Sequence, residues 1–174
     1  MIDKIMEMNK TNNLESDNIN SYGTIPYRPG VGIMLLNRDR KIFVAQRIDK
    51  TSEAWQMPQG GINRDESPEQ AAIRELKEET DINNASIIRQ TDDWFFYDFP
   101  NELAAKLWRG KFRGQKQKWF AMQFLGHDDD INLNTDKPEF SDWRWVSSEE
   151  IPNMIVDFKR QLYRAVLDEF KDLL

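Results

Sequence analysis

The stretch GGINRDESPEQAAIRELKEETDI, residues 60–82, joins a glycine-rich loop to a strongly marked helix start. Ser67 can serve as the N-cap, Pro68 suits the first helical position, and Gln70 completes a capping box. These signals predict a helix from Pro68 to about Thr80. A glycine-rich loop lets the backbone approach a ligand closely, and the helix N-terminus that follows it favours anions.

Three carboxylates crowd one face of this predicted helix. At about 100° per residue, Glu75, Glu78 and Glu79 fall within an arc of about 100°. Like charges at this spacing destabilise a helix by about 0.2–0.5 kcal/mol per pair, and Arg74 cannot neutralise all three. A divalent ion such as Mg²⁺ could do so, because it prefers oxygen ligands and is commonly shared between carboxylates and the phosphates of a substrate. Taken alone, such a cluster is usually a solvated helix face, so both interpretations stay open at this point.

The composition describes one globular domain of 174 residues and excludes several classes of protein. Hydrophobic residues make up 39% and aromatic residues 11%, which is enough for a core. No stretch reaches the roughly 18 consecutive apolar residues of a membrane helix. The lack of Cys excludes disulfides, thiolate zinc sites and cysteine nucleophiles. The single His127 precedes three aspartates, which predicts an exposed turn rather than a catalytic group.

Both the start of the chain and its charge distribution carry information. Residues 1–22 are polar and aperiodic, so we expect a flexible tail before a domain spanning residues 23–174. The N-terminus lacks the pattern of a secretory signal, which predicts a cytoplasmic protein. The net charge is −6, yet residues 109–118 carry five cations and no acid. This basic segment is either a solvated loop or a local site for phosphates.

The remaining pattern predicts an α/β fold with a mixed sheet between helices. A second amphipathic helix is expected over residues 155–173, where apolar residues are spaced three or four apart. Residues 106–114 are expected to form a long loop. β-Branched and aromatic residues predict strands over residues 31–36, 41–47, 55–58, 85–90, 94–99, 118–125 and 140–146. Strand alternation predicts core positions for Trp55, Trp119, Trp143 and Trp145.

Residues 60–82 resemble the Nudix box, G-x5-E-x7-R-E-U-x-E-E-x-G-U, where U is aliphatic. Asp81 stands where the family has Gly, so the last turn of the helix is expected to end less favourably, because Asp tolerates a left-handed conformation less well than Gly. Eight of the nine specified positions match, namely Gly60, Glu66, Arg74, Glu75, Leu76, Glu78, Glu79 and Ile82. A chance match of the six Gly, Glu and Arg positions is on the order of one in 10⁵ from average residue usage.

Further segments extend the resemblance over most of the chain beyond the tail. They are similar to the bacterial RNA 5′-pyrophosphohydrolase group, also described as dinucleoside polyphosphate hydrolases or invasion-associated Nudix proteins. The similar segments are residues 27–32, 55–61, 114–120, 138–140, 143–146, 158–160 and 163–164. The resemblance implies a Nudix-type α/β/α sandwich with a mixed sheet.

The resemblance also implies roles for individual residues. Glu75, Glu78 and Glu79 would be ligands of Mg²⁺, with Mn²⁺ or another divalent metal as a possible substitute, and Glu79 would be the essential one. Glu139 would be a fourth catalytic carboxylate, acting as a metal ligand or as the general base. Four positions in the box would be structural, with Glu66 and Arg74 as an ion pair beside Gly60 and Gly61. The substrate-binding candidates are the cations Arg28, Arg47, Lys116, Lys118 and Lys159 for phosphates, and the rings of Phe158 and Tyr97 for a base.

The expected activity is hydrolysis of a phosphoanhydride by attack of water on phosphorus. The leading expectation is removal of pyrophosphate from the 5′ end of triphosphorylated RNA, and the close alternative is asymmetric cleavage of diadenosine tetraphosphate. A non-catalytic module that binds RNA or phosphate is a hypothesis of another class. The three retained carboxylates of the box argue against it, because a binder has no need to tolerate their repulsion. A nucleotide sanitiser such as an 8-oxo-dGTP hydrolase is disfavoured by residues 114–120. We expect no membrane association and no obligatory protein partner.

Overall fold

One mixed eight-stranded sheet organises the described part of the chain. The computed structural model describes residues 25–48 and 55–174, so the predicted tail lies outside the described residues. The strands are β1 Tyr27–Leu36, β2 Ile42–Arg47, β3 Trp55–Gln56, β4 Gln59–Gly61, β5 Ala85–Gln90, β6 Phe95–Asp98, β7 Gly114–Phe124 and β8 Phe140–Val146. The helices are α1 Pro68–Thr80, α2 Asn101–Lys106, α3 Ile151–Met154 and α4 Arg160–Glu169. Short 3₁₀ turns cover Leu107–Gly110, Asp128–Asp130, Asp157–Lys159 and Lys171–Leu173.

The centre of the sheet is a long parallel pair formed by β1 and β7. Their register runs from Tyr27 opposite Gly114 to Leu36 opposite Gln123. The other strand pairs are antiparallel, and the order is β3-β2-β1-β7-β5. Strand β4 adds to β1, β6 adds to β7, and β8 adds to β2. The apolar side chains of β1 are buried on both faces, as expected for a central strand.

Helices cover both faces of the sheet. On one face α1 packs through Ala71 and Leu76 in a cluster with Val31 and Phe120. On the other face α4 belongs to a second cluster that contains Trp119. These layers confirm the predicted α/β fold with a mixed sheet. Successive residues of β7 therefore face different helices, which decides which of its side chains reach the site described below.

The prediction of one continuous helix over residues 155–173 is wrong. The backbone is extended at Ile155, where α3 ends (φ −92°, ψ 146°), and at Val156 (φ −55°, ψ 140°). A 3₁₀ turn follows, and α4 begins only at Arg160. The apolar spacing nevertheless indicated burial correctly for Ile155, Leu162, Val166 and Phe170. The interruption matters because it brings Phe158 and Lys159 to the wall of a cavity.

The predicted loop over residues 106–114 and the predicted start of the next strand also need correction. Residues 101–110 form α2 and a 3₁₀ turn, and β7 begins at Gly114 rather than at Lys118. The residues at its start are polar, and strand propensity alone gives them little weight. Their strand conformation comes from pairing with β1 on one side and β6 on the other.

The prediction that four tryptophans occupy core positions is fully confirmed for one of them. Trp119 is completely buried, whereas Trp55, Trp143 and Trp145 are partly buried and pack against the edges of the two clusters. Their strands β3 and β8 lie on the outer side of β2, where less of the protein covers them. The single His127 is exposed at the start of a 3₁₀ turn, as predicted. Within residues 25–48 and 55–174, no helix combines the length and the apolar character needed to span a bilayer.

Candidate active site

Local capping determines where α1 begins and ends. The Ser67 hydroxyl accepts a hydrogen bond from the Gln70 amide (3.2 Å), and the Gln70 side chain accepts one from the Ser67 amide (2.9 Å). The predicted capping box is therefore present. At the other end Asp81 adopts the left-handed conformation (φ 58°, ψ 10°), and its N–H donates to the Lys77 carbonyl (2.8 Å). The helix thus ends in the backbone geometry that Gly favours, with Asp in its place.

Arg74 ties the loop before α1 to the helix itself. Its Nε and Nη2 donate to the two carboxylate oxygens of Glu66, at 2.7 and 2.9 Å. Nη2 also donates to the Gly61 carbonyl at 2.8 Å. The hydrogen bonds from Arg74 are the main reason that the pKa of Glu66 lies below its ordinary value. The ion pair expected from the resemblance is present, and it holds the glycine-rich loop against the helix.

The same guanidinium reaches the first two carboxylates of the helix face. Arg74 Nη1 lies 2.8 Å from Glu75 Oε1 and 3.1 Å from Glu78 Oε2. The Glu75 carboxyl group lies directly above β4, because a Cβ at Gly60 would be only 1.8 Å from Glu75 Cδ. A glycine is therefore required at residue 60 for Glu75 to occupy this place. Burial is the main cause that raises the pKa of Glu75.

Glu79 is the buried member of the three. Only 3% of it is exposed, and its Oε2 accepts a hydrogen bond from the Gln59 backbone N–H (3.1 Å). Burial raises the pKa of Glu79 well above its ordinary value, and the negative charges of Glu139 and Glu75 raise it further. A carboxylate in such surroundings is stabilised either by a proton or by a cation.

Glu139 joins this cluster from a distant part of the sequence. It precedes β8, and its backbone carbonyl accepts a hydrogen bond from the Ile48 N–H (2.9 Å). Its carboxylate contacts Arg47 Nη1 at 3.3 Å, and it also raises the pKa of both Glu75 and Glu79. The four predicted carboxylates line one cavity of about 690 Å³.

The donor set of this cavity is suited to a hard cation, although the side chains are not arranged as a finished metal site. Within the described residues, no three acidic or histidine side chains already converge on a common point. Arg74 stands between Glu75 and Glu78 and neutralises part of their charge. All the candidate ligands are carboxylate oxygens, the type that Mg²⁺ prefers. Burial is the main cause that raises the pKa of both Glu75 and Glu79, and the negative charge of Glu139 raises the pKa of each further.

A second cavity of about 450 Å³ adjoins the first and shares Glu75, Glu78 and Glu139 with it. Lys159 is only 7% exposed, and its Nζ donates to Gln59 Oε1 at 2.9 Å. The Arg28 guanidinium lies beside Gly61, where a Cβ would be 2.1 Å from Nη2. Five predicted substrate-binding residues line this cavity, namely Arg28, Arg47, Tyr97, Phe158 and Lys159. Carboxylates and cations thus meet at one opening.

The two aromatic candidates differ in what they can offer a base. Tyr97 is 7% exposed, and its ring packs against Phe99 and Phe158 at centroid distances of 5.6 and 6.1 Å. Little of the Tyr97 ring is therefore accessible. Phe158 is half-buried at the cavity wall and presents more of its ring.

The structure does not bring Lys116 and Lys118 to either cavity. Side chains alternate along β7, and these two lysines lie on the face opposite Gln115 and Gln117. Lys118 Nζ donates to the carbonyls of residues 91 and 92, at 3.0 and 2.5 Å. Both ammonium groups lie over the Trp94 ring, at 5.5 and 5.7 Å from its centroid. A phosphate-binding role for them at the carboxylate cluster therefore has no support from the geometry.

Three amides of the cavity wall were not predicted from the sequence. Gln56, Gln59 and Gln115 all line the second cavity. The available signal was strand alternation, since a strand that begins at Gly114 places Gln115 and Trp119 on the same face. The start of β7 was predicted four residues too late, which hid this relation.

Comparisons with known proteins agree with this geometry. The sequence profile of the NUDIX domain matches residues 26–166. An RNA pyrophosphohydrolase of Rickettsia typhi (strain ATCC VR-144 / Wilmington) is 52% identical over 155 residues, which cover 89% of this chain and 96% of the relative. An RNA pyrophosphohydrolase of Rickettsia bellii (strain OSU 85-389) is 53% identical over 150 residues, which cover 86% and 93%.

Solved structures share the fold at much lower identity. The E. coli dihydroneopterin triphosphate pyrophosphohydrolase is 20% identical with a TM-score of 0.64, covering 80% of this chain and 96% of its own. The C. elegans Ap4A hydrolase in a binary complex is 22% identical with a TM-score of 0.60, covering 83% and 98%. The profile match and the identity to the curated relatives show that the chain belongs to the Nudix family and is a hydrolase of pyrophosphate bonds.

Proposed function

We propose that this hydrolase removes pyrophosphate from the 5′ end of triphosphorylated RNA in a reaction that depends on Mg²⁺. The observation that carries the proposal is the junction of the two cavities. The acidic cavity and the cationic cavity share Glu75, Glu78 and Glu139, so one ligand can contact both. The names of relatives at 52–53% identity support RNA as the substrate.

The four carboxylates are the residues that would hold the metal. Glu79 would be the essential ligand because it is buried, and Glu75, Glu78 and Glu139 would complete the set. When bound, Mg²⁺ would neutralise charge on phosphate oxygens and activate water. The hydrogen bond from the Gln59 N–H keeps one oxygen of Glu79 in place. Arg74 holds Glu75 and Glu78 near their positions by direct contacts.

The cations of the second cavity would hold the phosphates of the substrate. Arg28, Arg47 and Lys159 line the wall beside the carboxylates, and charge-assisted hydrogen bonds are about twice as strong as neutral ones. Phe158 would stack on a base near the 5′ end, a contact worth about 1–3 kcal/mol. A 5′-triphosphate on a single strand offers both groups that this wall can bind.

The first experiment compares substrates. Pyrophosphate release from triphosphorylated RNA and cleavage of diadenosine tetraphosphate are measured as kcat/KM at a single Mg²⁺ concentration. We expect the higher kcat/KM for RNA. A clear preference for the dinucleotide would overturn the RNA proposal and favour the dinucleoside polyphosphate hydrolase.

The second experiment tests the role of Glu79. We expect Glu79→Gln to lower kcat by at least about 100-fold, in the range typical of lost catalytic groups, while RNA binding is largely kept. Glu69→Gln is the matched control, since it changes the same residue type in the first turn of the same helix, away from the carboxylate face. We expect this control to keep the parental kcat. Equal turnover by Glu79→Gln and the parent would refute the assignment.

A further inference from the structure

Three glutamine side chains form a hydrogen-bonded row beneath the cationic cavity. Gln117 is fully buried on β7, and its Nε2 donates to Gln115 Oε1 at 2.9 Å. The same Nε2 lies 3.5 Å from Gln59 Oε1, which also accepts the Lys159 ammonium at 2.9 Å. Gln115 is 5% exposed and lines the cavity, whereas Gln117 lies behind it.

The charge of Lys159 determines how every amide in this row is turned. An ammonium group has donors and no acceptor, so Gln59 must present its oxygen to Lys159. Gln117 must then present its amino group, because its oxygen would otherwise face the oxygen of Gln59. The oxygen of Gln115 accepts from this amino group, which leaves the Gln115 amino group as its remaining polar end. Through these hydrogen bonds, the Lys159 ammonium determines which end of the Gln115 amide accepts a hydrogen bond at the cavity wall.

This arrangement leaves one polar atom of Gln117 without compensation. Gln117 Oε1 is buried and has no hydrogen-bond partner among the described residues. A buried acceptor without a partner is destabilising, whereas replacing a whole polar group by an apolar one of similar shape can be nearly neutral. Stability alone therefore does not account for an amide at this position. The N–H donors of Gln117 explain why an amide is present here, because they orient Gln59 and Gln115, which line the cavity.

We propose that Gln117 is a positioning residue for substrate binding. It turns the amino group of Gln115 toward the cavity, so that this part of the wall presents donors to an acceptor-rich anion such as a chain of phosphates. The proposal rests on the proposed function in one respect, namely that the phosphates of the substrate occupy this cavity. Gln117 itself touches no substrate and acts through Gln115.

The test is a double-mutant cycle with Gln115→Met, Gln117→Met and the double variant. We expect Gln117→Met to raise KM for triphosphorylated RNA about fivefold, the factor for loss of one neutral hydrogen bond, with kcat changed less than about twofold. The KM of the double variant should equal that of Gln115→Met, because Gln117 acts through Gln115. Gln117→Met deprives Gln115 Oε1 of its donor but also removes the unpartnered oxygen of Gln117, so the two effects offset each other and the Tm should stay within about 4 °C of the parent.

A matched control lies on the same strand. Gln123 donates to the carbonyls of Leu36 and Phe124, at 3.0 and 3.2 Å, away from both cavities. Gln123→Met should therefore leave KM at the parental value. The proposal is overturned by an unchanged KM in Gln117→Met, by KM effects of the two single variants that multiply in the double variant, or by a KM increase of equal size in the control.

The parent and the three variants of the cycle are also assayed with diadenosine tetraphosphate. If the parent cleaves the dinucleotide but releases no pyrophosphate from RNA, the proposed function fails. The KM values of the cycle on the dinucleotide then still test the role of Gln117, because its phosphates need the same donors. The two failures are therefore distinguishable.

Discussion

Replacing Arg74 by Lys tests whether the glycine-rich loop is held by a bidentate ion pair or only by a positive charge. Arg74 places two donors on the two oxygens of Glu66, at 2.7 and 2.9 Å, and a further bond on the Gly61 carbonyl at 2.8 Å. A lysine keeps the charge, but its single ammonium group cannot reproduce this planar fork. The side chains of Arg74 and Glu66 are only 26% and 13% exposed, so solvent replaces the lost contacts poorly.

The expected loss of stability in Arg74→Lys follows from the hydrogen bonds that lysine cannot make. Hydrogen bonds to charged groups contribute about 1.5–3 kcal/mol each, and the substitution loses about two of them; the lower end of this range gives a loss of about 3 kcal/mol. For a domain of this size, 1 kcal/mol corresponds to about 2–4 °C, so the Tm should fall by about 6–12 °C. Thermal unfolding followed by circular dichroism measures this difference.

The pH dependence of the difference has a definite sign. The pKa of Glu66 lies below its ordinary value of 4.5, mainly because of the hydrogen bonds from Arg74. A lowered carboxyl pKa contributes stability that is present above the ordinary value and is lost as the pH falls through the lowered value. The difference in Tm between the parent and Arg74→Lys should therefore be largest near neutrality and shrink as the pH falls below 4.5.

Arg113→Lys is the matched control, because Arg113 makes the same kind of paired contact with Asp98. Its Nε and Nη2 lie 3.1 Å from the two carboxylate oxygens, but the side chains are 46% and 55% exposed. Exposed ion pairs contribute about 0–1 kcal/mol, so the Tm should change by at most about 4 °C. Equal Tm shifts in the two variants, or a shift for Arg74→Lys within the range of the control, would refute the reasoning.

Two further predictions concern the carboxylate cluster. Gly60→Ala places a methyl group 1.8 Å from Glu75 Cδ, so Glu75 must move. We expect the stability to fall by about 1–3 kcal/mol and kcat to fall as well. A variant with the parental kcat would contradict the requirement for Gly. Because the pKa of Glu79 is raised, the folded chain keeps a proton that the unfolded chain releases as the pH rises, and folding becomes less favourable. In EDTA, the Tm of Glu79→Gln minus the Tm of the parent should therefore increase from about pH 5 to about pH 8. A difference that does not change with pH would show that ionisation of Glu79 does not destabilise the folded chain.

The sequence was informative wherever neighbours along the chain decide the structure. The start of α1 follows from the hydroxyl of Ser67 and the amide of Gln70, which lie within one turn. The crowding of Glu75, Glu78 and Glu79 follows from the helical repeat alone. Glu66 can pair with Arg74 once the short loop before α1 folds back against the helix. The resemblance supplied the roles of these residues and pointed to Glu139, which spacing alone does not connect to the helix.

Tertiary structure decided everything that depends on which strands pair and in which register. The parallel pairing of β1 with β7 turns a polar stretch into a strand from Gly114 onward, and alternation then separates Gln115 and Gln117 from the neighbouring lysines. The extended backbone at Ile155 and Val156 brings Lys159 to Gln59, from 100 residues away in sequence. Local rules determine the helix that carries the carboxylates, because its hydrogen bonds join residues close in sequence. The cationic wall opposite them arises only when distant strands and turns assemble, since no local interaction specifies those contacts.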